Sequence, residues 1–387
     1  PCDSLALKDI IFDFIDFEMP QLKGLLSELK SLTINPNDSS FRRTFTIGGL
    51  EHTFSLGGLH SVNKAEVFKL KENEVLIDKD VTSLYPSIVI EHGVCPEHLD
   101  KEAFVGIFSD MKSERVQAKR SGDKITNMTL KLALNGFTGN LQQQFSWVYS
   151  PKAALTIRIN GQLMLCMLLE RLVNAGATII QSNTDGVFFM CDKDKLESVN
   201  ELCHEWENIT KLNLEDDYFE RLYQYAINDY LGVKKGWSDS HDYKYIKTKG
   251  LFIDEVSLGK GMAPLVIAEA LREYFVNGTP VEDTIRSCKD ITKFLTYQKV
   301  GSKYSIEYGG DLITRINRYY MSTDGKPLKK CIVDPGTKER TKYVSICSDS
   351  NVTIFNELKD IDINDAHINY KWYLQEVNKV LNAFGEK

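Results

Sequence analysis

The sequence predicts an α+β fold, with helices laid on one face of an antiparallel sheet. Two observations carry this expectation. Between residues 74 and 210, strand-like and helix-like stretches follow in the order strand, helical pair, long helix, hairpin, helix. The chain is 42% hydrophobic and 26% charged, the balance of an ordinary globular protein, and no internal repeat or low-complexity segment interrupts it. Its 387 residues suffice for one large domain or two to three smaller ones.

Residues 18–32 (EMPQLKGLLSELKSL) have helical spacing, and NPNDSS (35–40) is loop material. FTIGGLEHTFSLGGLH (45–60) alternates and is broken by glycine, which suggests a hairpin. EVLIDKD (74–80) reads as a strand ending in acids. MKSERVQAKR and KITNMTLKLALNGF read as two helices joined by SGD, hence a helical hairpin. Residues 153–175 form a long helix closed by Gly176. ATIIQS (177–182) and VFFMC (187–191) flank Asn-Thr-Asp-Gly, a hairpin with a polar tip. Residues 196–210 are an amphipathic helix. From about 256 the chain reads as a separate lobe, mostly helical and polar, with a basic Gly/Pro-rich stretch at 324–338.

Net charge is −7, which does not advertise a nucleic-acid binder, but the distribution matters more than the sum. Residues 192–220 hold ten acids and three bases, and so account for the whole imbalance. Residues 112–131 carry six bases against two acids, 234–249 five against two, and 315–342 eight against three. Tyr243, Tyr245, Tyr319 and Tyr320 are interleaved in the last two, a pattern that suits a phosphate-tracking surface. No stretch approaches the roughly 20 uninterrupted apolar residues of a membrane span. PCDSLALKDI has no basic region followed by an apolar core, so no secretory signal and no membrane association are expected. Eight scattered cysteines without a CxxC pair read as free thiols of a reducing compartment. The seven histidines show no metal-ligand spacing.

Two acids stand out. Asp185 sits at the hairpin tip, and Asp80 at the end of a buried strand, where Pro86 turns the chain that follows. An acid at a strand end beside an acid at a hairpin tip suits two-metal chemistry. There two divalent ions about 3.5–4 Å apart clamp the attacking and leaving oxygens of a phosphoryl displacement. Mg²⁺ needs only a few carboxylates when substrate phosphates and waters complete its octahedron. Arg115 and Lys119 are four apart on the first helix of the helical hairpin, as are Lys131 and Asn135 on the second. Together they make a cationic clamp for a triphosphate.

These residues resemble the polymerase motifs of family B DNA polymerases, especially the compact phage-type ones. DVTSLYPSI (80–88) is similar to motif A at every specified position. KLALNGFTG (131–139) resembles motif B, keeping Lys131, Asn135 and Gly139, with Gly136 and Thr138 in place of Ser and Tyr. NTDG (183–186) resembles motif C, with Asn183 replacing its first acid, and KTKG (247–250) resembles the lysine-rich motif that grips the primer-template. The resemblance spans roughly residues 20–387.

It implies a right-hand architecture with a ferredoxin-like palm, short two-helix fingers and a mostly helical thumb. Residues 1–79 would lead into the palm, 80–110 carry motif A, 111–140 form the fingers, 141–255 carry motif C and the lysine-rich motif, and 256–387 form the thumb. Asp80 and Asp185 would be catalytic and, with Val81, hold two Mg²⁺ ions, for which Mn²⁺ could substitute. Arg115, Lys119 and Lys131 would bind the triphosphate, the backbone of Ser83 and Leu84 would touch its phosphates, and Asn135 would lie beside the incoming nucleotide. Tyr85 would be the steric gate against a ribose 2′-hydroxyl. Thr184, Lys247, Lys249 and Gly250 would contact DNA.

The implied activity is DNA-directed DNA synthesis from dNTPs on primer-template DNA, in the cytoplasm, or a host's cytoplasm if phage-encoded. Only 79 residues precede Asp80, and the DxE-like echo in DFIDFE (13–18) is read as coincidental, so no proofreading is expected. A separate exonuclease polypeptide or a processivity factor would then be a partner. The gaps between motifs leave no room for inserted subdomains, so an ordinary nucleic-acid primer is expected. The alternative is a non-catalytic polymerase-like DNA-binding subunit of a replication complex, favoured only by Asn183, Gly136 and Thr138. A primase-polymerase or reverse transcriptase on the same palm is a third reading, with Tyr85 against ribonucleotide use.

Overall fold

The structure is a computed structural model that describes residues 4–253, 255, 263–357 and 361–385. In chain order its elements begin with β1 (Leu5–Ala6), α1 (Pro20–Ser31), β2 (Thr33–Ile34), β3 (Arg42–Ile47), β4 (Leu50–Ser55), β5 (Leu59–Ser61), β6 (Glu66–Lys69) and β7 (Glu74–Val81). Then come α2 (Leu84–His92), α3 (Lys101–Ser121), α4 (Lys124–Asn140), α5 (Pro151–Asn174), β8 (Thr178–Ser182), β9 (Gly186–Asp192), α6 (Leu196–Thr210) and β10 (Leu214–Ala226). The rest of the chain holds β11 (Asp229–Lys234), α7 (Trp237–Ser240), β12 (Ile246–Lys249), α8 (Leu265–Asn277), α9 (Val281–Ser287), β13 (Thr296–Lys299), β14 (Ser305–Tyr308), β15 (Asp311–Ile313), β16 (Ile316–Ser322), β17 (Leu328–Val333), β18 (Arg340–Ser345), β19 (Asn351–Ile354) and α10 (Tyr370–Ala383). This is a mixed α+β protein, as expected.

The chain divides into two compact units, Pro1–Asn63 with Lys69–Arg221, and Lys64–Phe68 with Leu222–Lys387. The division falls inside β10 rather than near residue 256, where the sequence suggested a separate lobe.

The first unit is organised around α5. Its Ser150 N-cap accepts from the Ala153 amide at 3.2 Å, Pro151 opens it, and Gly176, at φ +82°, closes it. Most of α5 is buried all round, and it is the one described helix long and apolar enough to cross a membrane. Within that stretch 94% is buried inside the protein, so it is a core helix. Its buried polar side chains pin the N-terminal segment. Asn160 accepts from the Phe12 amide at 2.8 Å and donates to the Ile10 carbonyl at 2.6 Å, and Glu170 accepts from the amides of Glu18 and Met19 at 2.9 and 2.6 Å. DFIDFE is therefore a packed segment, with Ile15 and Phe17 both 2% exposed.

Against α5 lies the antiparallel run β10–β7–β9–β8. Ile77, Val187 and Phe189 enter the core with Leu163 and Leu168 of α5. The 45–60 stretch forms the expected hairpin at Gly48–Gly49, both at positive φ, and β5 adds a third strand. Helix α3 begins ten residues before MKSERVQAKR, where Asp100 caps it by accepting from the Ala103 amide at 2.8 Å.

The second unit contains the order β12–β11–β10, with β6 also on β10, and two further antiparallel sheets, β13–β16–β19 and β15–β14–β17–β18. Helices α8 and α10 belong to its core, and the Tyr373 hydroxyl joins α10 to it, donating to the Phe294 carbonyl at 2.8 Å and accepting from the Met321 amide at 2.9 Å. Trp372 packs edge-on against Tyr373 at 5.0 Å, a core role as read from its helix.

The expectation of a mostly helical lobe from 256 onward is corrected. Its described residues hold seven strands beside three α-helices, and the 324–338 stretch contains β17. The strands are three to seven residues long. The lysine- and threonine-bearing β18 is exposed at nearly every position, so it shows no alternation to read. The described cysteines are free thiols, and Cys2 lies outside the described residues.

Candidate active site

The two acids are brought together by strand register. In the β7–β9 pair Asp80 lies opposite Gly186, and in the β7–β10 pair it lies opposite Glu215. Ile77 faces the helical core, so Asp80, three residues on, projects from the other face. Lys79 turns inward instead, where its buried ammonium meets both oxygens of Asp216 at 2.8 Å. A Cβ at Gly186 would lie 2.0 Å from Asp80 Oδ1, so glycine leaves the volume that the carboxylate uses.

Asp185 is held at both backbone ends. Its carbonyl accepts from the Val81 amide at 2.7 Å, and its amide donates to Asn183 Oδ1 at 3.2 Å. The same Oδ1 accepts from the Gly186 amide at 2.9 Å, and the Asn183 amide closes the turn on the Gly186 carbonyl at 3.0 Å. Asn183 thus builds the Asx turn that presents Asp185.

After Asp80 the chain turns sharply. Ser83 sits in the left-handed region at φ +51°, and α2 starts at Leu84, with Pro86 accommodated in its first turn. The sequence reading gave Pro86 a turn and missed this helix. Gly161 of α5 lets α2 approach, since a Cβ there would be 3.3 Å from Ile88 and 3.7 Å from the Tyr85 ring. Burial pushes the Tyr85 hydroxyl up to about 12, with Arg158 opposing and Asp185 adding to the shift, so it stays a neutral phenol.

The helical hairpin supplies the cations. Arg115 on α3 donates to Ser83 Oγ and to Asn127 Oδ1 of α4, the latter at 3.2 Å, tying both helices to the turn that follows β7. Lys119 reaches Glu215 at 2.7 Å. Lys131 and Asn135 line the same cavity of about 1170 Å³, together with Asp80, Val81, Ser83, Leu84, Tyr85, Thr184 and Asp185. Thr138, where the resemblance expects a tyrosine, is buried, its hydroxyl donating back to the Asn135 carbonyl at 2.9 Å.

The structure adds residues that the sequence reading missed. Glu215 is the cross-strand neighbour of Asp80, and only register reveals it. Arg158 lines the cavity from α5 and donates to Gln142; a lone arginine in the apolar run ALTIRINGQL was its signal. Lys112 lines the cavity too, with burial lowering its pKa against the pull of Glu91.

Lys247, Lys249 and Gly250 belong to the second unit. The two lysines share a face of edge strand β12, paired opposite Gly232 and Tyr230. Gly250 has a backbone duty: at φ +61°, a Cβ would lie 2.1 Å from Asp229 Oδ1. Thr184 contacts His60 at 3.4 Å across the hairpin tip.

The donor set fits a hard divalent cation bound jointly with substrate. Asp80 and Asp185 line one cavity, with Glu215 of the same lining paired to Lys119, and among the described residues no group of three or more His, Cys, Asp or Glu is placed to hold a metal. Phosphate oxygens would have to complete the shell, as Mg²⁺ prefers. The chain matches no protein-family model and no curated protein.

Proposed function

We propose that this chain is a template-directed DNA polymerase of the family B type, without proofreading in this chain, with α3 and α4 as fingers over a palm sheet. The observation that carries the reading is the Val81–Asp185 backbone bond, which joins the two acid-bearing segments at the edge of a cavity lined by Arg115, Lys119 and Lys131. In nucleotidyl transfer the primer 3′-oxygen bonds to the α-phosphorus, the bond to pyrophosphate breaks, and the hydroxyl proton leaves to solvent. Mg²⁺, when bound, supplies polarisation of the 3′-hydroxyl and neutralisation of the phosphates.

The chain's own residues do the rest. Asp80 and Asp185 hold the cations. Arg115 and Lys131 position the triphosphate, and Lys119 exchanges Glu215 for phosphate oxygens. Neutral Tyr85 packs under the sugar and excludes a 2′-hydroxyl. Primer extension with Mg²⁺ and dNTPs tests the reading. The parent extends a labelled primer, while Asp80→Asn and Asp185→Asn lose activity by at least about a hundredfold yet still bind primer-template. A parent that binds primer-template and never extends it, with Mg²⁺ or Mn²⁺, makes the chain a non-catalytic DNA-binding subunit instead.

A further inference from the structure

Between α4 and α5 runs the loop 141–150, LQQQFSWVYS. It is tightly bonded: Ser146 N to the Gln143 carbonyl at 2.8 Å, Ser150 N to the Leu141 carbonyl at 2.9 Å, and the Trp147 carbonyl to His98 Nε2 at 2.8 Å. On this braced loop Phe145 is 99% exposed and Trp147 is 68% exposed. Trp147 meets Phe137 edge-on at 5.7 Å, and Phe137 meets Phe108 edge-on at 5.5 Å, so the indole is fixed from behind by an aromatic column. A braced indole and a phenyl ring on the same bonded loop, both left exposed by the described residues, form an apolar surface open to a partner.

The surroundings say by what. From Lys124 to Arg158 the sequence has four cations, Lys124, Lys131, Lys152 and Arg158, and no Asp or Glu. The loop adjoins the candidate cavity directly, because Gly139 and Arg158 line it and Arg158 bonds Gln142. In space Lys152 is paired with Glu97 at 2.7 Å, which leaves Lys124, Lys131 and Arg158 to set the charge of this stretch. Flat apolar faces in a cationic, amide-rich setting match single-stranded nucleic acid, whose bases stack while its phosphates take the charge. We infer that Phe145 and Trp147 form a stacking platform for unpaired bases of the template strand ahead of the insertion site. This rests on the polymerase reading and adds to it a residue-level path for the template.

Fluorescence anisotropy of the whole chain on two labelled primer-templates tests it, one blunt and one with a template overhang of about six nucleotides. The parent binds the overhang substrate more tightly than the blunt one. Phe145→Ala weakens overhang binding by about 5- to 100-fold and Trp147→Ala acts in the same direction, while blunt-end binding is unchanged. Phe145→Tyr restores the preference, since stacking needs a ring and not its identity. Phe145 buries nothing, so its replacement leaves the fold intact.

If parent and Phe145→Ala bind both substrates equally while the parent extends primers, the platform is wrong and the polymerase reading stands. If the parent neither binds nor extends primer-template, both fall together. If the parent sediments as a dimer that Phe145→Ala converts to monomer, the rings are a contact between copies and the platform is overturned.

Discussion

At the scale of single residues, Asn183 decides how the hairpin tip is understood. The resemblance has an acid there, and its loss, with Gly136 and Thr138, is what favours the non-catalytic reading. In the structure the Asn183 side-chain oxygen accepts from two backbone amides, those of Asp185 and Gly186. That task needs an acceptor and no charge, and an aspartate performs it equally well. Asn183→Asp is therefore expected to keep stability within about 0.5 kcal/mol and to leave primer extension nearly unchanged. Asn183→Ala frees both amides, costs about 1–2 kcal/mol and lowers kcat, because Asp185 loses its orientation. Urea unfolding and single-nucleotide insertion kinetics on both variants check this. A large gain in kcat for Asn183→Asp would instead mean that the position lacks a metal ligand. Asp80 and Asp185 were legible because each ends an apolar run with turn residues beside it. Glu215 was not, since a cross-strand neighbour is fixed by register, and register depends on β10, which lies 134 residues from Asp80 at its nearest end.

At the scale of elements, the three-stranded sheet β3–β4–β5 carries a pH dependence. His52 on β4 is fully buried and stacks on Phe45 at 5.7 Å. Its Nδ1 donates to the Leu50 carbonyl at 2.8 Å, while Nε2 is buried without a hydrogen-bond partner among the described residues. Burial pushes its pKa down to about 4, with the Leu50 bond opposing. The folded state thus binds fewer protons than the unfolded one between about pH 4 and pH 6.5. His52 costs no stability above pH 6.5, and stability falls as pH drops toward 4, by up to about 3 kcal/mol. His52→Phe removes this contribution, so denaturant unfolding at pH 5 and pH 7.5 should show a smaller difference in the variant than in the parent. Equal differences would mean that the imidazole is protonated in place.

Elements themselves were unevenly legible. Helix α6 falls on 196–210 as read, because Val199, Cys203 and Trp206 repeat at helical spacing on one buried face. The strands β13 to β19 were missed because they are short and several are basic and solvent-facing, and α2 because Pro86 reads as a breaker unless it occupies a first turn.

At the scale of the whole molecule, a net charge of −7 has to be compatible with the proposed DNA binding. Residues 192–220 carry all of that excess, so the remainder of the chain is balanced. At physiological salt, exposed charges farther apart than about 8 Å are largely screened from one another, so local surfaces rather than the sum set the attraction for phosphates. Lys247 and Lys249, on one face of β12, form such a surface, and Lys249 also lies 5.8 Å from the Tyr230 ring centre. Contacts of this kind release counterions without reading sequence, and each neutralised phosphate adds about 0.9 to the slope of log K against log salt. Lys247→Ala and Lys249→Ala together should therefore lower that slope by about 1–2 and weaken primer-template binding alike on unrelated sequences. Anisotropy titrations between about 50 and 200 mM salt measure both quantities. A double variant that loses affinity at constant slope would show that the lysines act through packing on β11, and an unchanged affinity would take β12 off the DNA path altogether.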